Sequence, residues 1–116
     1  MASGLSKIES ITNFTKFAEL QSELGHLGVR GMTVSQVLGC GIQKGSAEYA
    51  IEENEEIVLL PKQMITLVVE TEKVHDIVEV VKQTLYTGHI GDGKIFVSSL
   101  DNVIKVRTGD EGVDAL

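Results

Sequence analysis

Lys94 and Arg107 are the cations best placed to meet an anion, because each adjoins a glycine-containing turn. Lys94 follows the turn in Thr87-Gly88-His89-Ile90-Gly91-Asp92-Gly93-Lys94-Ile95-Phe96, and Arg107 opens Arg107-Thr108-Gly109-Asp110. Glycine admits positive φ and leaves its N–H groups uncovered. Successive uncovered N–H groups at Gly91, Asp92 and Gly93 would form a nest suited to an anion, with Lys94 adding a point charge. Arg107, arriving on a second strand, is expected to clamp the same anion in a bidentate way. The chemistry indicated is phosphate binding by neither of the common glycine fingerprints, since G-x-x-x-x-G-K-[ST] and G-x-G-x-x-G are both missing. A bare turn with a solvated lysine is the competing reading of the same residues.

The elements that must position these residues follow from periodicity. Lys7 to Phe14 alternates as a first strand. Phe17, Leu20, Leu24 and Leu27 then recur at helical spacing, and Gly28 stands where that helix would stop. Gly31 to Leu38 reads as a second strand, Gln63 to Glu70 as a third, and Lys94 to Ser99 as a fourth. Val103 to Arg107 reads as a short fifth strand. Between Lys73 and Tyr86 a second helix is expected, with Val74, Ile77, Val78, Val81 and Leu85 on one face. Strand, helix, strand, twice over, predicts a ferredoxin-like α/β (α+β) sandwich: a double βαβ unit with a four-stranded antiparallel sheet. Helices would cover one sheet face; the other, if apolar, calls for a symmetric oligomer.

One stretch does not fit a compact domain. From Gly39 to about Leu60 the chain is expected to form a long connection closed by Pro61, with Glu48, Glu52, Glu53, Glu55 and Glu56 inside it. Loops of that length are functional or unstructured more often than not, and this one reads as a recognition arm.

Composition narrows the function classes. The 116 residues suit a single domain, 1–116, with a Val, Ile and Leu core, since aromatics make up 4% and Trp is missing. A net charge of −7 argues against nucleic acid as a partner. One cysteine, Cys40, excludes an internal disulfide, and its apolar neighbours favour a small buried hydrophobe. No apolar run approaches a membrane span and nothing resembles a signal peptide, so a cytoplasmic protein without direct membrane insertion is expected. His26, His75 and His89 are scattered, and no spacing predicts a permanent metal site.

With these pieces in order the chain resembles the PII signal-transduction family, in particular its divergent energy-sensing members. The resemblance runs without gaps from about Lys7 to the C-terminus. It is carried by Gly31-Met32-Thr33-Val34, by G-x-G-x-Q-K-G at Gly39–Gly45, by Leu60-Pro61-Lys62, by the Thr87–Phe96 run and by Val103–Asp110. It implies a homotrimer with nucleotide sites in the clefts between subunits and a protruding T-loop, here about 41–60. Residues implied to bind ATP or ADP are Thr33, Gly39, Gly41, Gln43, Gly91, Asp92, Gly93, Lys94, Lys105 and Arg107, with Lys105 standing where the family usually has arginine. Gln43 and Lys62 are those implied for 2-oxoglutarate with Mg²⁺. Glu48, Tyr49, Glu52, Glu53, Glu55 and Glu56 are the arm residues that would meet a target protein, such as an ammonium channel or an ABC uptake system for polyamines, drawing the protein to the inner face of the membrane.

The departures from the family pattern bear on the signal. Glu55 stands where some members carry a modified tyrosine, and Tyr49 lies elsewhere in the loop. Ile42 replaces an arginine that touches the outer phosphate, which should weaken discrimination between ATP and ADP; a charged contact of that kind contributes about 1.5–3 kcal/mol. Asn13-Phe14 replaces a lysine-proline, Cys40 an aromatic, Thr66 a glutamate near adenine, and Ile51 the arginine that enters a channel pore. The expectation is therefore a non-enzymatic regulator that reads ATP and ADP, with slow incidental hydrolysis at most. Two alternatives stand beside it: a full nitrogen-status sensor that also binds 2-oxoglutarate, and a small phosphohydrolase on the same fold. A third rival is a structural or metal-tolerance trimer that needs no nucleotide.

Overall fold

A computed structural model describes residues 4–13, 16–29, 31–43, 56–88 and 92–116, with the backbone alone at 41–43 and 56–58. The elements run β1 (Leu5–Thr12), α1 (Phe17–His26), β2 (Thr33–Gln43), β3 (Glu56–Glu70), α2 (Val74–Leu85) and β4 (Lys94–Leu100), with single 3₁₀ turns at Thr71–Lys73 and Gly112–Ala115. The sheet order is β2-β3-β1-β4 and every neighbouring pair is antiparallel. Each strand–helix–strand half therefore spans one strand of the other half: β3 lies between β1 and β2, and β1 between β3 and β4. This is the ferredoxin-like arrangement expected from the sequence.

Alternation on the strands meets the helical stripes on one sheet face. Ile8 of β1 and Ile65, Leu67 and Val69 of β3 pack against Leu20 and Leu24 of α1 and Ile77, Val81 and Leu85 of α2. Val78 is half-buried against the same cluster. α1 stops at the expected glycine: Gly28 has φ +80°, and its N–H donates to Gly25 O. The alternate strand positions, including Ile11, Met64, Val68 and Phe96, lie on the helix-free face, where Phe96 is 50% exposed. Among the described residues no helix is long and apolar enough to cross a membrane.

Four expectations are corrected. The connection after Leu38 is not irregular at its root, because β2 and β3 remain paired from Gly39↔Leu60 out to Gln43↔Glu56. Pro61 does not close a loop; it sits inside β3 opposite Leu38, past the end of β1 at Thr12↔Gln63. There β3 has β2 as its one strand neighbour, an edge-like position of the kind that accepts proline. The same outgrowth leaves Cys40 exposed rather than buried, since the arm runs beyond the cover of the helices.

The fifth strand is the fourth correction. Residues 106–108 form a turn, and the segment folds back on itself: Lys105 N–H donates to Asp110 O, Gly109 N–H to Lys105 O, and Gly112 N–H to Val103 O. One isolated bridge, Ile104↔Glu111, is the β pairing it makes. Positive φ at Gly109 (+76°) and Gly112 (+65°) lets the chain reverse there.

On the exposed face of α2, Lys82 Nζ donates to Glu79 Oε1 at 3.0 Å. That bond and the lysine charge hold the Glu79 carboxyl below the usual carboxylate range. A lowered carboxyl pKa stabilises the fold above the unfolded-state value, and the benefit is lost as pH falls through the lowered one. Because the pair is solvated, Glu79→Gln is expected to lower the melting temperature only slightly at pH 7. Thermal melts at pH 7 and pH 3 should show that small difference vanish in acid.

Candidate functional site

The glycine turn before β4 is shaped by a close approach to β1. Gly93 has φ +96°, and a Cβ there would lie 1.9 Å from Ile11 O and 3.1 Å from its carbonyl carbon. No side chain fits, so the backbone of the turn presses on the end of β1. Asp92 braces the turn from within: its carboxylate accepts from Thr87 N–H at 2.8 Å, Gly88 N–H at 3.0 Å and the Thr87 hydroxyl. Lys94 follows, exposed, opposite Ile11 and on the helix-free face.

Two more of the expected residues gather at this end of the sheet. Gly39 marks the root of the arm, and a Cβ there would meet Lys62 Cγ at 3.2 Å, so the lysine stem lies across the glycine. Lys62 Nζ donates to Asn13 Oδ1 at 2.8 Å. Gly41 and Gln43 lie farther out along the arm, opposite Val58 and Glu56. Gly91 and the arm residues Glu48, Tyr49, Glu52, Glu53 and Glu55 fall outside the described residues, and Glu56 opens β3.

The other expected residues lie elsewhere: Thr33 is on the edge strand β2, three strands from β4, and the Arg107 turn follows the far end of β4. A cleft of about 640 Å³ is lined by Gly31, Met32, Thr33, Thr66, Val68 and Val103. Thr33 and Thr66 face each other across the β2–β3 ladder and present two hydroxyls. The C-terminal Ala115 and Leu116 line the same cleft, and the Glu70–Lys73 ion pair (3.7 Å) stands on its wall. The turn bearing Lys105 and Arg107 runs between Val103, which lines this cleft, and Gly112.

Lys94 opens β4 and the Arg107 turn follows its last residue, so β4 lies between the two cations in the chain. β4 has 7 residues, so Lys94 and the base of the Arg107 turn are separated by roughly 20 Å of strand. Each chain carries two separate groups: a glycine turn with lysines, and an apolar cleft with two hydroxyls that is lined by Val103 at the base of the Arg107 turn. The brace at Asp92, the Asn13–Lys62 bond and the two C-terminal cleft residues were not foreseen as such. The Thr87-to-Asp92 spacing hints at the first; nothing in the sequence signals the other two, which depend on long-range packing.

Comparison with known proteins agrees with this architecture. The family model described as "Nitrogen regulatory protein P-II" matches residues 5–110. A "Nitrogen regulatory PII-like protein" of Bacillus subtilis (strain 168) is 40% identical over 116 residues, covering 100% of both chains. A "Nitrogen regulatory protein P-II" of Pasteurella multocida (strain Pm70) is 40% identical over 112 residues, covering 97% of this chain and 100% of the relative. Among solved structures, a B. subtilis GlnK–ATP complex superposes with a TM-score of 0.84 at 39% identity, covering 100% of this chain and 99% of the other. Arabidopsis thaliana PII bound to citrate gives 0.77 at 33% identity, with 97% and 92% covered. A match over nearly the whole chain, in both sequence and fold, places this chain in the nitrogen regulatory protein P-II family.

Proposed function

We propose that the chain acts as a homotrimeric, non-enzymatic signalling regulator that reads ATP and ADP in clefts between subunits and controls a target protein through its arm. The observation that carries this reading is the division of the site. Thr33 stands on the edge strand β2 and the Gly93–Lys94 turn opens the other edge strand, β4, with two strands between them, while Val103 at the base of the Arg107 turn lines the Thr33 cleft, so a second copy would unite the two groups. The half-exposed Phe96, with Ile11, Met64 and Val68 on the helix-free face, supplies apolar area for that assembly. The neighbour solved with ATP is 39% identical to this chain, which supports ATP as the ligand.

In this reading the base and sugar enter the cleft beside Thr33, and Lys105 and Arg107 approach the phosphates from the same chain. The second copy supplies Gly91, Asp92, Gly93 and Lys94, whose N–H groups and ammonium meet the phosphates. Among the described residues no group of three His, Cys, Asp or Glu could hold a metal ion, so Mg²⁺ would arrive with the phosphates and keep several waters. Gly39, Gly41 and Gln43 place the arm root beside this end, which lets nucleotides with different contacts there shift the arm between populations. The T-loop, about 41–60, then presents its acidic residues to a basic surface on a target such as a membrane transporter. The protein is proposed to be cytoplasmic, reaching the membrane only through that target.

Calorimetric titration with ATP and ADP, each with and without Mg²⁺ and 2-oxoglutarate, tests the reading. Saturable binding of both nucleotides is expected; no heat with either would refute it, and 2-oxoglutarate binding with Mg-ATP would add nitrogen sensing through Gln43 and Lys62. Deleting Glu48 to Glu56 is expected to abolish target binding while leaving the trimer and its nucleotide affinity intact. A target that still binds the deletion variant would remove the arm from the mechanism.

A further inference from the structure

We infer that Asn13 is a positioning residue that draws the Lys62 ammonium towards the Gly93 turn and makes it a second cation for the polyphosphate bound there; the inference rests on the nucleotide reading above. Thr12 pairs with Gln63, so Asn13 is level with Lys62 at the frayed end of β1. β1 lies between β3, which carries Lys62, and β4, which begins at Lys94. Asn13 accepts from Lys62 Nζ at 2.8 Å, which ties that charge to the end of β1, the strand next to β4. The turn is immediately beside it, because Gly93 packs on Ile11 O and on Thr12 Cα. Lys62 and Lys94 both belong to the helix-free face, as Lys62 alternates with Met64, and Lys94 lies in the same row as Ile11 and Met64.

The chemistry supports a positioning role over a closed pair. Asn13 is neutral, so the ammonium keeps its full charge, and one amide oxygen occupies one of its three donors. The remaining donors stay available to an anion. The lysine stem lies over Gly39, where a Cβ would come within 3.2 Å of Cγ, so the root of the arm touches the same side chain. A phosphate that engages Lys62 is thereby in contact with the arm through one residue. Asn13 itself touches no ligand in this scheme.

The test compares wild type, Asn13→Ala, Lys62→Ala and the double variant, by titration with ATP and with inorganic tripolyphosphate. Asn13 is exposed and outside the core, so these proteins are expected to fold normally. Both single variants should weaken binding by a similar factor, roughly 3–10-fold, and the double variant no further. In NMR spectra of the ligand-free protein the Lys62 Nζ resonance should show slowed proton exchange that Asn13→Ala abolishes. Unchanged or tighter binding by Asn13→Ala, or losses that add in the double variant, would overturn the inference. Failure of the wild type to bind either ligand would instead overturn the nucleotide reading, and the Lys62 resonance would still report whether the bond forms.

Discussion

Gly93→Ala is expected to be the most damaging single-atom change in this chain. The added methyl carbon would stand 1.9 Å from Ile11 O, a backbone atom that cannot swing aside as a side-chain tip would. At φ +96° an alanine is also strained before any contact is counted, which costs about 1–3 kcal/mol. Relief requires the turn to lift from β1, which removes the start of the β1–β4 ladder at Ile11↔Lys94. Together these effects should lower stability by several kcal/mol and the melting temperature by on the order of 10 °C. Hydrogen exchange should show early opening at Lys94 and Ile95 while the Leu20–Leu24–Ile77 core stays protected. A variant that melts like the wild type would mean the turn is not pressed against β1.

The largest functional effects are expected at Lys94 and Arg107. Each would contribute a charged contact to phosphate, about 1.5–3 kcal/mol. Lys94→Ala and Arg107→Ala should therefore each weaken ATP roughly 10–100-fold, with the fold unaltered because both side chains are exposed. The loss should shrink as salt rises, since the interaction is electrostatic. Thr66→Ala, at the other end of the bound molecule, should weaken ATP less and without that salt dependence. Equal losses with equal salt dependence at all three positions would argue for general destabilisation instead.

How far the sequence speaks is clear from particular residues. The four strands, both helices and the helix stop at Gly28 were legible, because alternation and helical stripes are local patterns that the core at Ile8, Leu24 and Ile77 then satisfies. Where tertiary pairing overrides local composition the reading failed. Residues Gly39–Gln43 and Glu56–Leu60 looked like loop, yet each strand extends because the other is there to pair with. Val103–Arg107 has strand-forming residues, but the Lys105 N–H is taken by Asp110 O, and the Lys105 and Val103 carbonyls by the N–H groups of Gly109 and Gly112. Lys94 and Arg107 were recognised as anion-binding types, whereas the placement of Lys94 at the start of β4 and of the Arg107 turn after its far end could be seen only once the strand had fixed ends. Asn13 looked like a mere departure until Lys62 was found bonded to it.

The division of the nucleotide site between two copies is the central claim, and mixed assemblies test it. Lys94→Ala chains and Arg107→Ala chains would be co-expressed with different tags, the mixed oligomers purified, and ATP titrated into them. If each site takes its glycine turn from one copy and its Arg107 turn from the next, random mixing restores about a quarter of the sites to wild-type affinity. If both groups serve a site within one chain, every site remains defective and no high-affinity fraction appears, which would contradict the account.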